Sequence, residues 1–137
     1  MNIVYVVTPF VAWSVAGGLK FVVNSVRARK LAFRLIGYGG LPSNHASIVT
    51  SVVAVIIARE GLDAPALVVA VGLAFIVLLD AKSLRGQVGK HAVAINALAE
   101  ADGRKPLRER IGHTPIELLA GIVVGALVGA GLGLFWP

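Results

Sequence analysis

Residues 118–136 read LLAGIVVGALVGAGLGLFW, with no charged side chain anywhere in the run. A helix that is apolar all the way round belongs in hydrocarbon or deep inside a large protein. Three more stretches resemble it. Ile3–Leu19 carries no charge and extends through Lys20 to Val23, and Ala64–Leu79 is uninterrupted. His45–Ala58 is shorter but is preceded by uncharged residues. Several of these fall below the ~20 residues of a usual span, which predicts a small bundle with helix ends in the headgroup region.

Composition agrees. The chain has 137 residues, 57% of them hydrophobic and 15% charged, with a mean hydropathy of +0.84. Soluble domains average ~25% charged and ~45–50% apolar residues. A single domain over residues 1–137 is too small to hide this excess from water. The absence of cysteine excludes a disulfide framework, thiolate metal sites and cysteine nucleophiles. The expected fold is an all-α integral membrane helical bundle of about four transmembrane helices, with one amphipathic cytoplasmic helix.

That last helix comes from the long third connection, Asp80–Glu117. Ala81, Leu84, Val88, Ala92, Ile95 and Ala99 recur there at helical spacing, with Lys82, Arg85, Gln87 and Lys90 between them. The pattern predicts a helix over 80–101, continuing the third span or lying on the membrane surface. Asp102-Gly103 and Pro106 end it.

The net charge of +6 is distributed unevenly. The first connection holds Arg27, Arg29, Lys30 and Arg34, and the third holds Lys82, Arg85, Lys90, Arg104, Lys105, Arg108 and Arg110. Between them, Arg59 stands against Glu60 and Asp63. In a four-span chain both basic connections lie on one side, so the positive-inside rule puts them in the cytoplasm and both termini outside. The expected location is the bacterial cytoplasmic (inner) membrane, and the charge needs no nucleic-acid partner. The first run has no basic stretch before it and reads as an uncleaved anchor, not a signal peptide.

Glycines at 121, 125, 129 and 133 form one stripe on the last span. They permit close approach of another helix, either within the chain or across a homo-oligomer interface.

Polar side chains concentrate at two predicted helix starts. Gly39-Gly40-Leu41-Pro42-Ser43-Asn44-His45-Ala46-Ser47 opens the second span, and Gly112-His113-Thr114-Pro115-Ile116-Glu117 opens the fourth. Both fall on the cytoplasmic side, where unpaired N–H groups and the positive dipole end favour phosphate. A histidine at each offers a nucleophile or an acid beside an anion site. The plainer readings are a capping box at Thr114 and Glu117, an N-cap at Ser43, and turn chemistry at Asn44. His113 and Glu117 stand four apart, so a helical turn reaching His113 would pair imidazole with carboxylate. The three histidines, His45, His91 and His113, lack paired metal-ligand spacing.

In order, Lys20-x6-Arg27, Pro42-Ser43-Asn44-His45 and His113-x3-Glu117-x3-Gly121 resemble the three-part signature of the type 2 phosphatidic acid phosphatase superfamily. The general form is K-x6-R-P, P-S-G-H and S-R-x5-H-x3-D-x3-G. The runs Gly39–Ser47 and Gly112–Pro115 look closer still to a divergent branch related to its acid phosphatases and vanadium haloperoxidases. Ala28, Asn44 and Glu117 depart from the pattern, and Leu107 stands where the family has a phosphate-binding arginine. Arg85, Arg108 or Arg110 could substitute for it.

The resemblance implies a two-step phosphatase without metal or other cofactor. His113 would attack phosphorus, Glu117 would orient it, and His45 would protonate the leaving alkoxide and then activate water. Lys20, Arg27, a downstream arginine, Ser43, Asn44 and nearby N–H groups would bind the phosphoryl oxygens. The topology adds that the substrate is an amphiphile with its phosphate in the inner leaflet, such as a phospholipid or a polyprenyl phosphate or diphosphate. The alternatives are a non-catalytic lipid-phosphate binder or transporter, and a structural subunit of a membrane complex.

Overall fold

The computed structural model describes residues 2–29, 31, 40–99 and 105–137. Lys30, Arg34, Gly39, Asp102, Gly103 and Arg104, which enter the sequence reading, lie outside these residues. All regular structure among the described residues is helical: α1 (Ile3–Ala28), α2 (Asn44–Glu60), α3 (Pro65–Leu79), a π-turn (Asp80–Leu84), α4 (Arg85–Ala99) and α5 (Pro115–Phe135). This is a helical membrane bundle.

Three helices are long and apolar enough to cross a bilayer: Ile3–Ala28, the continuous Pro65–Leu98 and Pro115–Phe135. The second expected span, α2, has 17 residues. At 1.5 Å per residue it is about 25 Å long, short of a ~30 Å hydrocarbon core. It is also the central helix, packed against α1, α3 and α5, so its serines face protein and not lipid. The amphipathic helix is not a separate surface element, because α3 runs through the π-turn into α4.

Burial follows the small residues. In α1, Val4, Thr8, Ala12, Ala16 and Lys20 are buried, one residue in every four along a single stripe. Phe10, Trp13 and Val22 point outward, as lipid-facing side chains do. Two hydroxyls inside the bundle are satisfied by their own helices, since hydrocarbon offers no alternative partner. Thr8 Oγ1 donates to the Val4 carbonyl (2.6 Å) and Ser51 Oγ to the Ile48 carbonyl (2.8 Å).

The glycine stripe of α5 is covered by α2. A Cβ on Gly121, Gly125 or Gly129 would stand 2.5, 2.3 or 2.2 Å from the carbonyl oxygens of Ser43, Ser47 and Ser51 respectively. At Gly133 it would stand 2.6 Å from the Ala58 Cβ. Both partners rise in number together, so α2 and α5 are parallel. Of the two uses the sequence leaves open for the stripe, the structure employs the one within the chain, and a second copy would need another surface. Ser47 Oγ joins the pair by donating to the carbonyls of Ser43 and Gly121, each at 3.0 Å.

The parallel pair defines two ends. At one, the start of α1 meets the ends of α2 and α5: Val4, Val55, Ile56, Ala64 and Ala70 form a cluster with Leu132 and Trp136. Arg59 donates to the Trp136 carbonyl there. At the other, Ala46, Ala81 and Leu118 pack together and bring the starts of α2 and α5 to the end of α3. Both polar helix starts identified in the sequence lie at this second end.

From residue 105 the chain runs back along α4. Asn96 Nδ2 donates to the Leu107 carbonyl (2.8 Å) and to Glu109 Oε1 (2.9 Å), while its Oδ1 accepts from the Leu107 N–H (2.7 Å). A Cβ on Gly89 would stand 2.5 Å from the Glu109 carbonyl oxygen, so only glycine lets the segment lie this close. The segment ends with the His113 N–H donating to the Ala81 carbonyl at 3.0 Å.

Candidate active site

Local chemistry starts both helices. Ser43 caps α2, its Oγ accepting from the Ala46 N–H at 3.4 Å. Thr114 caps α5 in a full capping box: its Oγ1 accepts from the Glu117 N–H (3.3 Å), and Glu117 Oε2 accepts from the Thr114 N–H (2.9 Å). The Ser43 N–H donates to the Glu117 carbonyl at 2.9 Å and fastens one helix start to the other.

This places His45 and His113 face to edge, with ring centroids 5.8 Å apart at 74°. They are 68 residues apart in sequence, and the parallel Ser/Gly pairing is what joins them. Each ring has a buried Nδ1 without a partner among the described residues, and so has Asn44 Oδ1 beside them. Such orphaned atoms are few in native structures.

Lys20 approaches from α1, buried to 8% exposure, with Glu117 the acidic group acting on its charge. Gly40, at φ 145°, lies over it; a Cβ there would meet Asn24 Oδ1 at 3.4 Å and the Lys20 stem at 4.0 Å. An ammonium removed from water costs several kcal/mol unless an anion compensates, so Lys20 marks where a negative group is wanted. Arg85, after the π-turn, is the second cation acting on both histidines. Of the three arginines that could stand in for one at Leu107, it is the one whose charge acts on both histidines.

The other expected residues are placed differently. Arg27 and Arg108 are exposed, and Arg108 Nε donates to the Arg110 carbonyl at 3.2 Å. Arg110 is 80% exposed, its Nη2 3.9 Å from Glu117 Oε1. Ser43 is wholly buried beneath α5 with its hydroxyl engaged in the cap. Glu117 makes the capping bonds, and no hydrogen bond joins it to His113 among those described. Its charge nevertheless acts on that imidazole. No group of three metal-ligating side chains occurs among the described residues.

His113 titrates below the ordinary histidine value of 6.5. Burial is the main cause, followed by Lys20; Glu117 opposes them, and His45 and Arg85 add to the depression. The imidazole is therefore neutral at pH 7, the form that can attack phosphorus.

Two features escape the sequence reading. Ser43-x3-Ser47-x3-Ser51 has the same spacing as the glycines it meets, and that match was the available signal. Asp80, read only as the end of a span, bonds Arg85 (Oδ2 to Nε, 3.1 Å). Regular helical periodicity hides that pair.

The model of a family described as "Divergent PAP2 family" matches residues 1–128. An uncharacterized membrane protein of Bacillus subtilis (strain 168), YuiD, is 30% identical over 136 residues, covering 86% of each chain. No solved structure matches.

Proposed function

The chain belongs to the divergent PAP2 family, and from this premise we propose that it is a membrane phosphatase acting on a lipid phosphate at the cytoplasmic face. The observation that carries the reading is the convergence of His45, His113, buried Lys20 and Arg85 at the adjoining starts of two parallel helices. Helix dipoles and two cations create positive potential where two imidazoles stand close together, and phosphoryl transfer needs little else.

In the proposed sequence, neutral His113 attacks phosphorus while His45, entering as the imidazolium beside the phosphate dianion, gives its proton to the departing alkoxide and becomes neutral. His45 then takes a proton from water, and the resulting hydroxide attacks the phosphohistidine. Phosphate leaves and His113 is regenerated neutral. Lys20 and Arg85 hold the phosphoryl oxygens, with Asn44 and the N–H groups opening α2 alongside. Ser43 and Glu117 fix the two helix starts, and the charge of Glu117 stabilises the cationic form of His113 during transfer. Arg27, Arg108 and Arg110 stand further out, where they suit the attraction of an anionic headgroup.

The fold supports a lipid substrate, because outward-facing apolar side chains stand on the helix ends that meet at the site, Val22 and Val26 on α1 and Ile76 and Leu79 on α3. Arg27, Arg29, Arg85, Arg108 and Arg110 fall towards its end of the bundle, and the positive-inside rule supports reading that end as the cytoplasmic one in a bacterial membrane, with both termini outside. A rival reading, binding of lipid phosphate without turnover, draws on Leu107 and on the engagement of Glu117 in the cap.

Purified protein in detergent, assayed for phosphate release from phosphatidic acid and from polyprenyl mono- and diphosphates, separates the two. The phosphatase reading expects release that survives chelator and is inhibited by vanadate. Saturable binding of those lipids with no release would establish the rival. The acid limb of kcat/KM is expected below pH 6.5, because attack needs neutral His113 and its surroundings depress protonation. A limb above that value would place a different group in the nucleophile's role.

A further inference from the structure

We propose that Asp80 is a positioning residue that holds Arg85 in the phosphate site, through the π-turn between α3 and α4; this rests on the phosphate-site reading above. At 3.6 residues per turn, side chains five apart point roughly 140° away from each other. Asp80 and Arg85 could not meet on such a helix. In the π-turn Asp80–Leu84 the Arg85 N–H bonds the Asp80 carbonyl, which stacks residues five apart on one face. Asp80 Oδ2 then accepts from Arg85 Nε at 3.1 Å.

The location of this turn matters. The Ala81 carbonyl, one residue on, accepts the His113 N–H at 3.0 Å, and Ala81 is packed against Ala46 and Leu118 beside His45 and Glu117. Gly112, at φ 103°, lies on the backbone of Arg85 and Gly86: a Cβ there would be 3.1 Å from the Gly86 nitrogen. The turn is thus stitched to both histidine-bearing segments. Both members of the pair act on the charge of His45.

Stability does not explain the pair. Its side chains are 37% and 35% exposed, and exposed ion pairs contribute little, whereas a π-turn inside an α-helix is uncommon and often marks a functional site. Positioning does explain it. Arg85 Nε–H is taken by Asp80, which fixes the guanidinium plane and leaves the terminal nitrogens for phosphoryl oxygens. The structure thereby supplies from α4 the cation that Leu107 does not.

The test is a double-mutant cycle on the detergent-purified full chain, with inorganic vanadate binding and phosphatidic acid turnover as readouts. Asp80→Asn should raise the vanadate Kd about tenfold in the wild-type background. It should add nothing in the Arg85→Ala background, because the two side chains act as one unit. Asp80→Glu, which keeps the charge on a longer arm, should fall between and covers the case in which the asparagine variant does not fold. The same loss from Asp80→Asn in both backgrounds, or none in either, would overturn the proposal. Vanadate binding without phosphate release would refute the phosphatase reading alone and leave the cycle readable. No vanadate binding by the wild-type protein would contradict both.

Discussion

His113→Ala is expected to leave a folded protein that releases phosphate at least ~10³-fold more slowly than wild type. The side chain packs only partly against its neighbours, and its backbone, not its ring, makes the hydrogen bond to Ala81. Truncation therefore removes the proposed nucleophile without removing a structural bond. His45→Ala should be slower by a smaller factor, ~10²–10⁴, since it removes proton transfer and leaves the attacking group in place. The two losses should not add, because both rings serve one transition state. Initial rates on phosphatidic acid, with vanadate binding as a check on the pocket, measure this. An alanine variant at 113 with wild-type kcat would sink the nucleophile assignment.

The second large effect concerns packing. Gly125→Ala should destabilise the bundle by about 1–3 kcal/mol, because its methyl group would fall 2.3 Å from the Ser47 carbonyl oxygen and 2.9 Å from its Cα. The obstacle is backbone, which cannot rotate away, so α2 must separate from α5. Gly131→Ala, six residues along the same helix, has nothing within 4 Å of its added carbon. It should be neutral or up to about 1 kcal/mol stabilising. Thermal unfolding in detergent compares them directly, and equal midpoints would refute the close Ser/Gly approach. Activity should fall with Gly125→Ala as well, since the same separation draws His45 from His113.

The uncharged run from Leu118 announces a membrane helix because solvent transfer alone dictates it, and the capping box at Thr114 is legible because its bonds span three residues. His45, His113 and Glu117 could be chosen in advance for a similar reason: charge and hydrogen-bonding capacity at a helix end are local properties. Lys20, inside α1, is legible only through the family resemblance. Arg85 could be named only as one of three arginines, because the choice depends on a π-turn that no α-helical periodicity shows. The approach of α2 to α5 is likewise a tertiary matter. Each stripe is visible in the sequence, at residues 43, 47 and 51 and at residues 121, 125 and 129, but their pairing is settled only when the helices meet. The length of α2 shows the same limit: 17 residues suffice because neighbouring helices, and not lipid, surround it.

The central claim is that His113 carries the phosphoryl group between substrate and water. It is tested most directly by mixing the protein with phosphatidic acid labelled in its phosphate, quenching in alkali, which preserves phosphohistidine, and mapping the label. The account predicts label on the peptide containing His113, accumulating in His45→Ala, where hydrolysis of the intermediate is slowed. Phosphate release by the wild-type protein with no label on that peptide, in either protein, would contradict it.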